Sequence, residues 1–338
     1  MNYTQSELSN LINQEIKSLN YSDSPYGLYA PIEYVLSLGG KRIRPLMMLL
    51  AYNLYKDDVK TIIPQALALE VYHNFTLLHD DLMDKAEVRR GNPCVHKKWD
   101  DNTAILSGDA MLILAYRLMT ENRTVDQVEY HPSTINPQYL NEALVTFNSA
   151  TLGVCDGQQF DIEFETRMDV TEAEYMEMIR LKTSLLLACA LKIGAQLAGA
   201  PTADANHLYN IGEKIGLAFQ LQDDLLDVYG DFETFGKKPG GDILCNKKTF
   251  LLINALNLAN PEQKKQLTEW INKENFVAEE KINAVRKLYN EIKVREICER
   301  RINELFAEAQ EELQAVAVEE QKKSELRALF TKLMGRKF

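Results

Sequence analysis

The sequence contains few cysteines, and it has too few basic residues to balance its acidic ones. Its 338 residues include five cysteines, an odd number without metal-like spacing, so reduced thiols in a cytosolic protein are expected. Its 38 lysines and arginines face 49 aspartates and glutamates, which leaves a net charge of −11. This balance argues against nucleic acid as the main partner, because nucleic-acid binding needs a positive surface. An anionic substrate must instead be held by a local basic cluster or by metal.

Membrane-spanning and strand-like patterns are also missing from the sequence. No run of 18 uncharged apolar residues occurs, and the amino terminus, MNYTQSELSN, lacks the basic and apolar regions of a signal peptide. We therefore expect no stable membrane insertion and a cytoplasmic location. No period-two pattern persists, and no linker divides the chain, so residues 1–338 are predicted to form an all-α, single-domain bundle of roughly ten or more helices. Residues 261–338 are charged and heptad-like, and they are predicted to be packing helices.

Against this background, the stretch from Glu70 to Gly91 concentrates acidic residues at the end of an apolar helical run. Asp80 and Asp84 project from one helix face with Asp81 beside them, and Cβ atoms at this spacing lie about 5–6 Å apart. Two like charges at that distance repel by about 3 kcal/mol at an effective dielectric of about 20, so a bound cation is expected. Oxygen-only ligands favour a hard cation such as Mg²⁺.

The alternative is that these aspartates form only a solvated helix end, which is common for an isolated motif. A second copy weakens that interpretation, because Asp223, Asp224 and Asp227 repeat the i, i+1, i+4 pattern at the end of another apolar run. Two copies with different flanking residues predict two walls of one site.

Basic residues near glycines are candidate anion ligands. In the segment GGKRIRP at 39–45, Lys41 and Arg44 lie three positions apart at a helix entrance, where the glycines let the backbone approach a ligand. His73 lies two turns before Asp80 on a similar helix face, where it can contact phosphate. Alternatively, the basic turn is plain surface and His73 is a hydrogen-bonded core group.

Further candidates follow along the chain. Lys182 precedes an apolar run, so its ammonium group either extends to solvent or points into a cavity. Asp161 is expected to project inward from a long helix. Between Gly230 and Asn246, Lys237 lies among glycines in a loop that we expect to close over the site as a lid.

The two kinds of cluster together indicate a class of reaction. Two facing carboxylate triads can hold several Mg²⁺ ions around one diphosphate and neutralise the charge that develops when it leaves a carbon atom. The separate set of cations can hold a second diphosphate. Two phosphorylated substrates are therefore predicted, whereas a single-substrate hydrolase would leave one set unexplained.

With these motifs in place, the chain resembles the trans-isoprenyl diphosphate synthases of the polyprenyl synthetase family, of the short-chain farnesyl or geranylgeranyl type. The matching segments keep the family's order and span most of residues 30–260. They are GGKRIRP (39–45), HDDLMD with RRG (79–91), GQQFD (157–161), KT (182–183), FQLQDDLLD (219–227) and GKKPGGDILCNKKT (236–249). The resemblance implies the isoprenoid synthase fold, in which the helices surround a central cavity.

The resemblance also implies roles for the candidate residues. Asp80, Asp84 and Asp223 would bind Mg²⁺, with three ions per site once the allylic diphosphate is present. The supporting residues, as ligands or through water, would be Asp81, Asp161, Asp224 and Asp227. The allylic diphosphate would be held by Arg89, Lys182 and Lys237, helped by Thr183, Gln220 and Lys247. Isopentenyl diphosphate would be held by Lys41, Arg44, His73 and Arg90. The catalytic set among all of these would be Asp80, Asp81, Asp84, Lys182, Asp223 and Lys237.

The implied reaction is a head-to-tail condensation. Ionisation of dimethylallyl, geranyl or farnesyl diphosphate gives an allylic cation, and the alkene of isopentenyl diphosphate attacks it. Proton loss to the departing diphosphate then restores a double bond, and the product is a C15–C20 trans-prenyl diphosphate. Water must be excluded because the cation is reactive. Members of the family are usually homodimers.

Product length is expected to depend on Phe75 and Thr76, which lie one turn before Asp80. In the family, bulky groups at these positions shorten the product; here one residue is aromatic and the other small, which suits C15–C20. Phe75 is alternatively a plain core residue. One helical turn spans about 5.4 Å, so a neighbouring helix must also contribute to the cavity floor, and sequence does not identify it.

Two other functions share part of this pattern. A terpene cyclase uses a similar first aspartate motif, but it needs neither GGKRIRP nor a second complete motif. A non-catalytic subunit of a heteromeric synthase is expected to lack one aspartate triad, whereas both triads are complete here.

Overall fold

The computed structural model describes residues 3–19, 24–120, 135–230 and 239–335, and these are mostly helical. The helices of the first half are α1 (Gln5–Ser18), α2 (Tyr26–Ser37), α3 (Ile43–Asn53), α4 (Ile63–Met83), α5 (Val95–Lys98), α6 (Asp101–Thr120) and α7 (Pro137–Thr166). A 3₁₀ turn, Val59–Ile62, precedes α4. Two short strands, β1 (Val88–Arg89) and β2 (Asn92–Pro93), pair antiparallel.

The second half continues with α8 (Glu172–Ile179), α9 (Leu185–Ala198), α10 (Thr202–Tyr229), α11 (Gly241–Leu244), α12 (Phe250–Leu258), α13 (Pro261–Asn272), α14 (Ala278–Ile292), α15 (Val294–Ala315) and α16 (Ser324–Met334). A π-helical turn, Arg180–Ser184, joins α8 to α9. The predicted all-α fold is confirmed. The β1–β2 hairpin was not predicted, because strands of two residues are too short to show alternation.

The chain divides into two compact units. The first comprises Met1–Phe147, Ala190–Asn206 and Val318–Leu326, and the second comprises Asn148–Cys189, His207–Ala317 and Arg327–Phe338. Each unit therefore assembles segments that are distant in sequence. The single domain of residues 1–338 stays a prediction.

Helix α4 forms the core of the first unit. All of its residues from Ile63 to Tyr72 are buried, which is typical of a helix surrounded by other elements. Helices α3 and α6 pack against it. A Cβ atom added at Gly108 of α6 would lie 2.1 Å from Nε2 of His79 on α4. Gly108 therefore permits the close approach of α6 to the end of α4 that carries the first aspartate motif.

The second unit has its own apolar core, to which α8, α10, α12, α14 and α15 contribute. Helix α10 buries side chains at three- and four-residue spacing: Leu217, Leu221, Leu225 and Val228. Asp223 and Asp227 lie between these positions and are half-buried. Core packing thus fixes the direction in which the second aspartate motif projects.

Local sequence signals set several helix boundaries. The hydroxyl of Thr4 accepts a hydrogen bond from the backbone of Glu7, and the Glu7 carboxylate accepts one from the Thr4 backbone. Thr171 and Glu174 make the same reciprocal pair at the start of α8. Both helix starts are confirmed, since each pair satisfies two backbone donors that the first helical turn leaves without partners.

One helical stretch, Glu172–Ala198, has the length and composition of a membrane span, with a mean hydropathy of 1.3 over its 18-residue window. In the structure, 72% of that window is buried. An apolar helix buried in this way is typical of a protein core.

Candidate active site

The first aspartate cluster lies at the carboxyl end of α4. Asp84 caps the helix, and its backbone N–H donates to the Asp80 carbonyl at 2.9 Å. The Asp80 side chain is half-buried and Asp84 is exposed, whereas Asp81 is buried. Because helix carbonyls already place partial negative charge at this end, three carboxylates here are favourable only with cations nearby.

Arg89 supplies one such cation. The β1–β2 hairpin places its guanidinium against Asp81, where Nε donates to Oδ2 at 2.7 Å and Nη2 lies 2.6 Å from Oδ1. The same Nη2 lies 4.0 Å from an oxygen of Asp80. This two-point contact fixes both side chains. Arg89 therefore orients Asp81, and Asp80 and Asp84 are the more accessible carboxylates of the cluster.

A basic cluster surrounds His73 on α4. Burial lowers the pKa of His73 well below its usual value, and nearby guanidinium groups lower it further, those of Arg44, Arg90, Arg89 and Arg42. His73 is therefore neutral near pH 7, and it can donate one hydrogen bond without adding charge. Several guanidinium groups around one neutral imidazole create a positive potential that suits an anion.

Gly39 and Gly40 form the backbone of this basic cluster. Both have positive φ angles, +79° and +135°, which glycine adopts without strain. A Cβ atom at Gly40 would lie 2.9 Å from Nη2 of Arg90, and Nη1 of Arg90 donates to the Gly39 carbonyl. The glycines therefore bring the loop before α3 against the β1–β2 turn, within the first unit.

Lys41 and Arg44 flank the start of α3, as the sequence indicates. Lys41 is exposed, whereas Arg44 is half-buried and its Nε has no hydrogen-bond partner among the described residues. Burial lowers the pKa of Arg44 to about 10; Glu70 opposes this shift and Arg90 adds to it. A guanidinium with unused donors beside other cations is well suited to hold phosphate.

Arg42 and Glu70 were not among the predicted residues, although they form a buried ion pair. Arg42 has a left-handed backbone, with φ 48°, which directs its side chain inward. Its Nη1 donates to Glu70 at 2.6 Å and its Nη2 to the Leu36 carbonyl at 2.6 Å, while Asn74 donates to the same Glu70 oxygen at 2.8 Å. The pair therefore anchors the basic loop to α4, one turn before His73.

The second unit contains a pocket that collects both signs of charge. Its volume is about 230 Å³. It is lined by Asp161, Tyr175, Met178, Ile179, Lys182, Thr183, Gln220, Asp223, Asp224, Asp227, Asp242 and Lys247. The structure thus brings together every predicted site residue of the second unit that it describes. Lys237 lies outside the described residues.

Lys182 points into this pocket, which resolves the choice that the sequence leaves open. Its Nζ donates to Asp161 at 2.7 Å, and Nζ of Lys247 lies 3.6 Å from the same oxygen. Burial opposes ionisation of Asp161, but Lys247 and Lys182 hold its pKa below the usual value. A Cβ atom at Gly157 would lie 2.4 Å from the Lys182 backbone nitrogen, so this glycine lets α7 approach the π-helical turn.

The three aspartates of the second motif, on α10, have different surroundings. Asp224 is buried; the Tyr175 hydroxyl donates to it, and Gln220 donates to its other oxygen at 3.3 Å. Burial, and then the Asp242 carboxylate, raise the pKa of Asp224 to about 8. Asp227 accepts a hydrogen bond from the Asp242 backbone at 2.9 Å. Asp224 is thus held by protein groups.

Tyr175 and Asp242 were not predicted as site residues. Tyr175 lies on α8, where its apolar spacing is that of an ordinary core residue, and it is 1% exposed. Asp242 lies in the GGD portion of the segment that carries Lys247, and an acidic residue beside lysines in a loop gives no sign of its target. Their place in the pocket is seen only from their contacts with Asp224 and Asp227 of α10.

The donor set fits a hard metal ion. The accessible groups of both aspartate clusters are carboxylate oxygens, which Mg²⁺ and Ca²⁺ prefer. Within the described ranges, no group of three or more histidine, cysteine or acidic side chains forms a site that could hold a metal ion. Carboxylates in smaller groups are compatible with Mg²⁺. This ion typically takes one or two carboxylates and completes its shell with water and substrate phosphate.

Comparisons with known proteins agree with this chemistry. The sequence profile named Polyprenyl synthetase matches residues 26–292. The chain is 38% identical over 277 residues to the short chain isoprenyl diphosphate synthase of Methanocaldococcus jannaschii, which covers 82% of this chain and 80% of that protein. A crystal structure of a geranylgeranyl pyrophosphate synthase superposes with a TM-score of 0.91 at 41% identity, covering 99% of this chain and 100% of that one.

A second similar structure contains ligands. It is the polyprenyl synthase of Caulobacter crescentus CB15 complexed with calcium and isoprenyl diphosphate, with a TM-score of 0.81, 27% identity and coverage of 98% of this chain and 94% of that one. The chain therefore belongs to the polyprenyl synthetase family. Members of this family are prenyltransferases that use isoprenoid diphosphates and bind the diphosphate with divalent metal.

The buried Arg42–Glu70 pair gives a stability prediction. Glu70→Gln should lower the free energy of unfolding by about 3–5 kcal/mol, because Arg42 would stay buried without its counter-charge. Urea denaturation followed by circular dichroism measures this change. Glu33→Gln, at an exposed glutamate of α2, is the matched control and should stay within about 0.5 kcal/mol of the wild type. Equal losses for both variants would contradict the anchoring role.

Proposed function

We propose that the protein condenses isopentenyl diphosphate with an allylic diphosphate, head to tail, to give a C15–C20 trans-prenyl diphosphate and free diphosphate. Family membership supports the reaction class. The names of similar proteins, a short chain isoprenyl diphosphate synthase and a geranylgeranyl pyrophosphate synthase, support the substrate class and the product range.

The single observation that best supports the proposal is the pocket of the second unit. Lys182 and Lys247 meet at Asp161, and the carboxylates of α10 lie in the same pocket. A diphosphate needs both kinds of group, since cations contact its outer oxygens and carboxylates hold the metal that neutralises the rest. A pocket for an uncharged ligand would use neither.

Mg²⁺ is the metal that we assign to the aspartates. Asp80, Asp84 and Asp223 would hold it, with three ions per site, and Asp81, Asp161, Asp224 and Asp227 would support them. The metal supplies charge neutralisation of the departing diphosphate. The chain's own part is to place the carboxylates at helix ends and to orient Asp81 through Arg89.

The basic groups divide between the two substrates. Arg89, Lys182, Lys237, Gln220 and Lys247 hold the allylic diphosphate in this proposal, with Thr183 fixing Gln220 through a hydrogen bond of 3.0 Å. Isopentenyl diphosphate is held by Lys41, Arg44, His73 and Arg90. Neutral His73 contributes a directional N–H, while the guanidinium groups contribute charge.

The remaining steps need water exclusion and a proton acceptor. Met178 and Ile179 line the pocket of the second unit, and such apolar walls limit water near a reactive allylic cation. The departing diphosphate accepts the proton that is lost, so we assign no side-chain base. The role of Lys237 in closing the site stays a prediction, because this residue lies outside the described part of the chain.

Product length depends on the aromatic side chains of α4 in this proposal. The Phe75 ring is half-buried between Tyr72 and His79, with centroids 5.4 and 4.8 Å away. Tyr72 contacts Phe147 of α7 at 5.6 Å, and Phe147 contacts Tyr116 of α6 at 5.1 Å. In this proposal, these rings form the wall that a neighbouring helix contributes. Thr76 is a smaller residue, and its hydroxyl donates back to the His73 carbonyl at 2.8 Å.

We also propose that the protein is a cytoplasmic homodimer. The structure describes all five cysteines, and none of them is in a disulfide bond, as expected in the cytoplasm. Leu106 and Ile113, seven residues apart on α6, are 60% and 68% exposed, and Val145 of α7 is 57% exposed. Exposed apolar side chains of this size favour an interface between identical subunits. Multi-angle light scattering should give twice the 38.6 kDa chain mass, and a monomer mass would overturn this part.

The experiment for the reaction uses purified protein, Mg²⁺ and labelled isopentenyl diphosphate with C5, C10 and C15 allylic primers. We expect elongation of at least one primer and C15–C20 products on chromatography. Asp80→Ala and Asp223→Ala should each lower turnover by about 10²–10³-fold or more with an unchanged circular dichroism spectrum. Asp57→Ala, at an exposed aspartate outside both clusters, should keep full activity. No elongation of any primer would eliminate the proposal.

Phe75→Ala should lengthen the product, because it removes the ring that packs between Tyr72 and His79. The measurement is the chain-length distribution of products from a C15 primer, with turnover determined in parallel. Tyr26→Ala removes an aromatic ring that is 74% exposed on α2 and should leave the distribution unchanged. An unchanged distribution for Phe75→Ala would show that this ring does not limit the chain.

A further inference from the structure

Within the part of the chain that the structure describes, Lys281 of α14 is buried without a carboxylate partner. Its residue is 1% exposed, and its Nζ donates to Oδ1 of Asn246 at 2.8 Å and to the Leu244 carbonyl at 3.3 Å. The ammonium group also lies 4.3 Å from the ring centroid of Phe276. Among the described residues, no carboxylate lies within ion-pair distance of it.

This arrangement is unfavourable for stability. Burial lowers the pKa of Lys281, and among the described residues its charge is compensated by carbonyl, amide and aromatic groups and by Cys245. An apolar side chain of similar length would avoid the desolvation of a charged group. The feature that distinguishes the ammonium group from an apolar side chain is its hydrogen bonds to Leu244 and Asn246.

The groups that Lys281 holds belong to one short segment, residues 240–247. Leu244 is the last residue of α11, and Asn246 follows with a left-handed backbone, φ 54°. The Asn246 amide also donates to the Ile271 carbonyl of α13 at 3.0 Å. Lys281, Asn246 and Ile271 thus form a clamp. Within it, Asn246 joins the segment to α13 and α14.

The same segment presents its other face to the pocket of the second unit. The Asp242 backbone donates to Asp227 at 2.9 Å, and the Lys247 backbone donates to the Asp242 carbonyl at 2.9 Å. Nζ of Lys247 lies 3.6 Å from Asp161. Because Asn246 directly precedes Lys247, a change in the clamp moves the start of the Lys247 side chain.

We propose that Lys281 is a positioning residue for the allylic diphosphate, acting through Asn246 to fix Lys247 and Asp242 in the pocket. This inference rests on the proposed function, which assigns that pocket to the allylic substrate. It gives residues 261–338, predicted to be packing helices, a part in substrate binding. Lys281 does not line the pocket of the second unit, so it is not a catalytic residue.

The positioning role predicts a split between the two substrates. Lys281→Met removes the ammonium group at similar length, and Asn246→Gly removes the other half of the clamp while tolerating the left-handed backbone. Each variant should raise KM for the allylic diphosphate about 10- to 100-fold, since small displacements of binding groups have effects of that size. KM for isopentenyl diphosphate should stay within about twofold of the wild type. The double variant should be no worse than either single variant, because both break one clamp.

Lys273→Met is the matched control. Lys273 is exposed at the end of α13 and lies 4.3 Å from the Trp270 ring, so the variant also removes a lysine from an aromatic contact. It should leave both KM values unchanged. An unchanged allylic KM in Lys281→Met and Asn246→Gly would overturn the inference, and so would equal rises in both KM values, which indicate a purely structural role.

Two further outcomes are also decisive. If Lys281→Met does not fold, Asn246→Gly alone tests the inference. The same comparison applies, between its KM for the allylic diphosphate and its KM for isopentenyl diphosphate. If the wild type elongates no primer, the proposed function fails, and calorimetric binding of inorganic pyrophosphate with Mg²⁺ then tests the clamp directly. Weaker binding by Asn246→Gly than by Lys273→Met would support the inference, and equal binding would overturn it.

Discussion

The repulsion among the carboxylates within each aspartate cluster, at the end of α4 in the first unit and at the end of α10 in the second, is the constraint on which the surroundings of each cluster depend. Each helix end adds partial negative charge to aspartates that are already close together. Protein cations offset part of it: Arg89 fixes Asp81, and Lys182 with Lys247 fix Asp161. The accessible carboxylates remain a favourable location for divalent metal, and a diphosphate that brings such metal also satisfies the nearby cations.

Each unit orients its charged groups through a buried polar contact. In the first unit, the Arg42–Glu70 pair ties the basic loop to α4, and in the second, the Lys281–Asn246 contact ties Lys247 and its neighbours to α13 and α14. Buried charges are weak contributors to stability when compared with apolar residues of similar size. Their effect is instead to fix where the surface cations lie, which suits a site that must grip diphosphates in one geometry.

The helices and both aspartate motifs could be predicted because their signals are local: capping boxes, apolar spacing and carboxylates four residues apart. The residues that contact those motifs could not be predicted from the sequence. Tyr175 and Asp242 reach α10 from other segments, and Lys182 could equally have faced solvent. Arg42 turns inward only because of its left-handed backbone, and Lys281 resembles any other lysine of a charged helix until its burial is known. Burial and long-range contact depend on the whole fold, which no short pattern describes.

The most direct test of the account is the thermal stability of the wild-type protein with Mg²⁺ alone, inorganic pyrophosphate alone and both together. A ligand that binds only the native state raises Tm in proportion to its affinity. We expect a clear rise in Tm only when both are present, because the carboxylates need the metal and the metal needs the phosphate oxygens. A rise with pyrophosphate alone that Mg²⁺ does not increase would contradict metal binding by the aspartates.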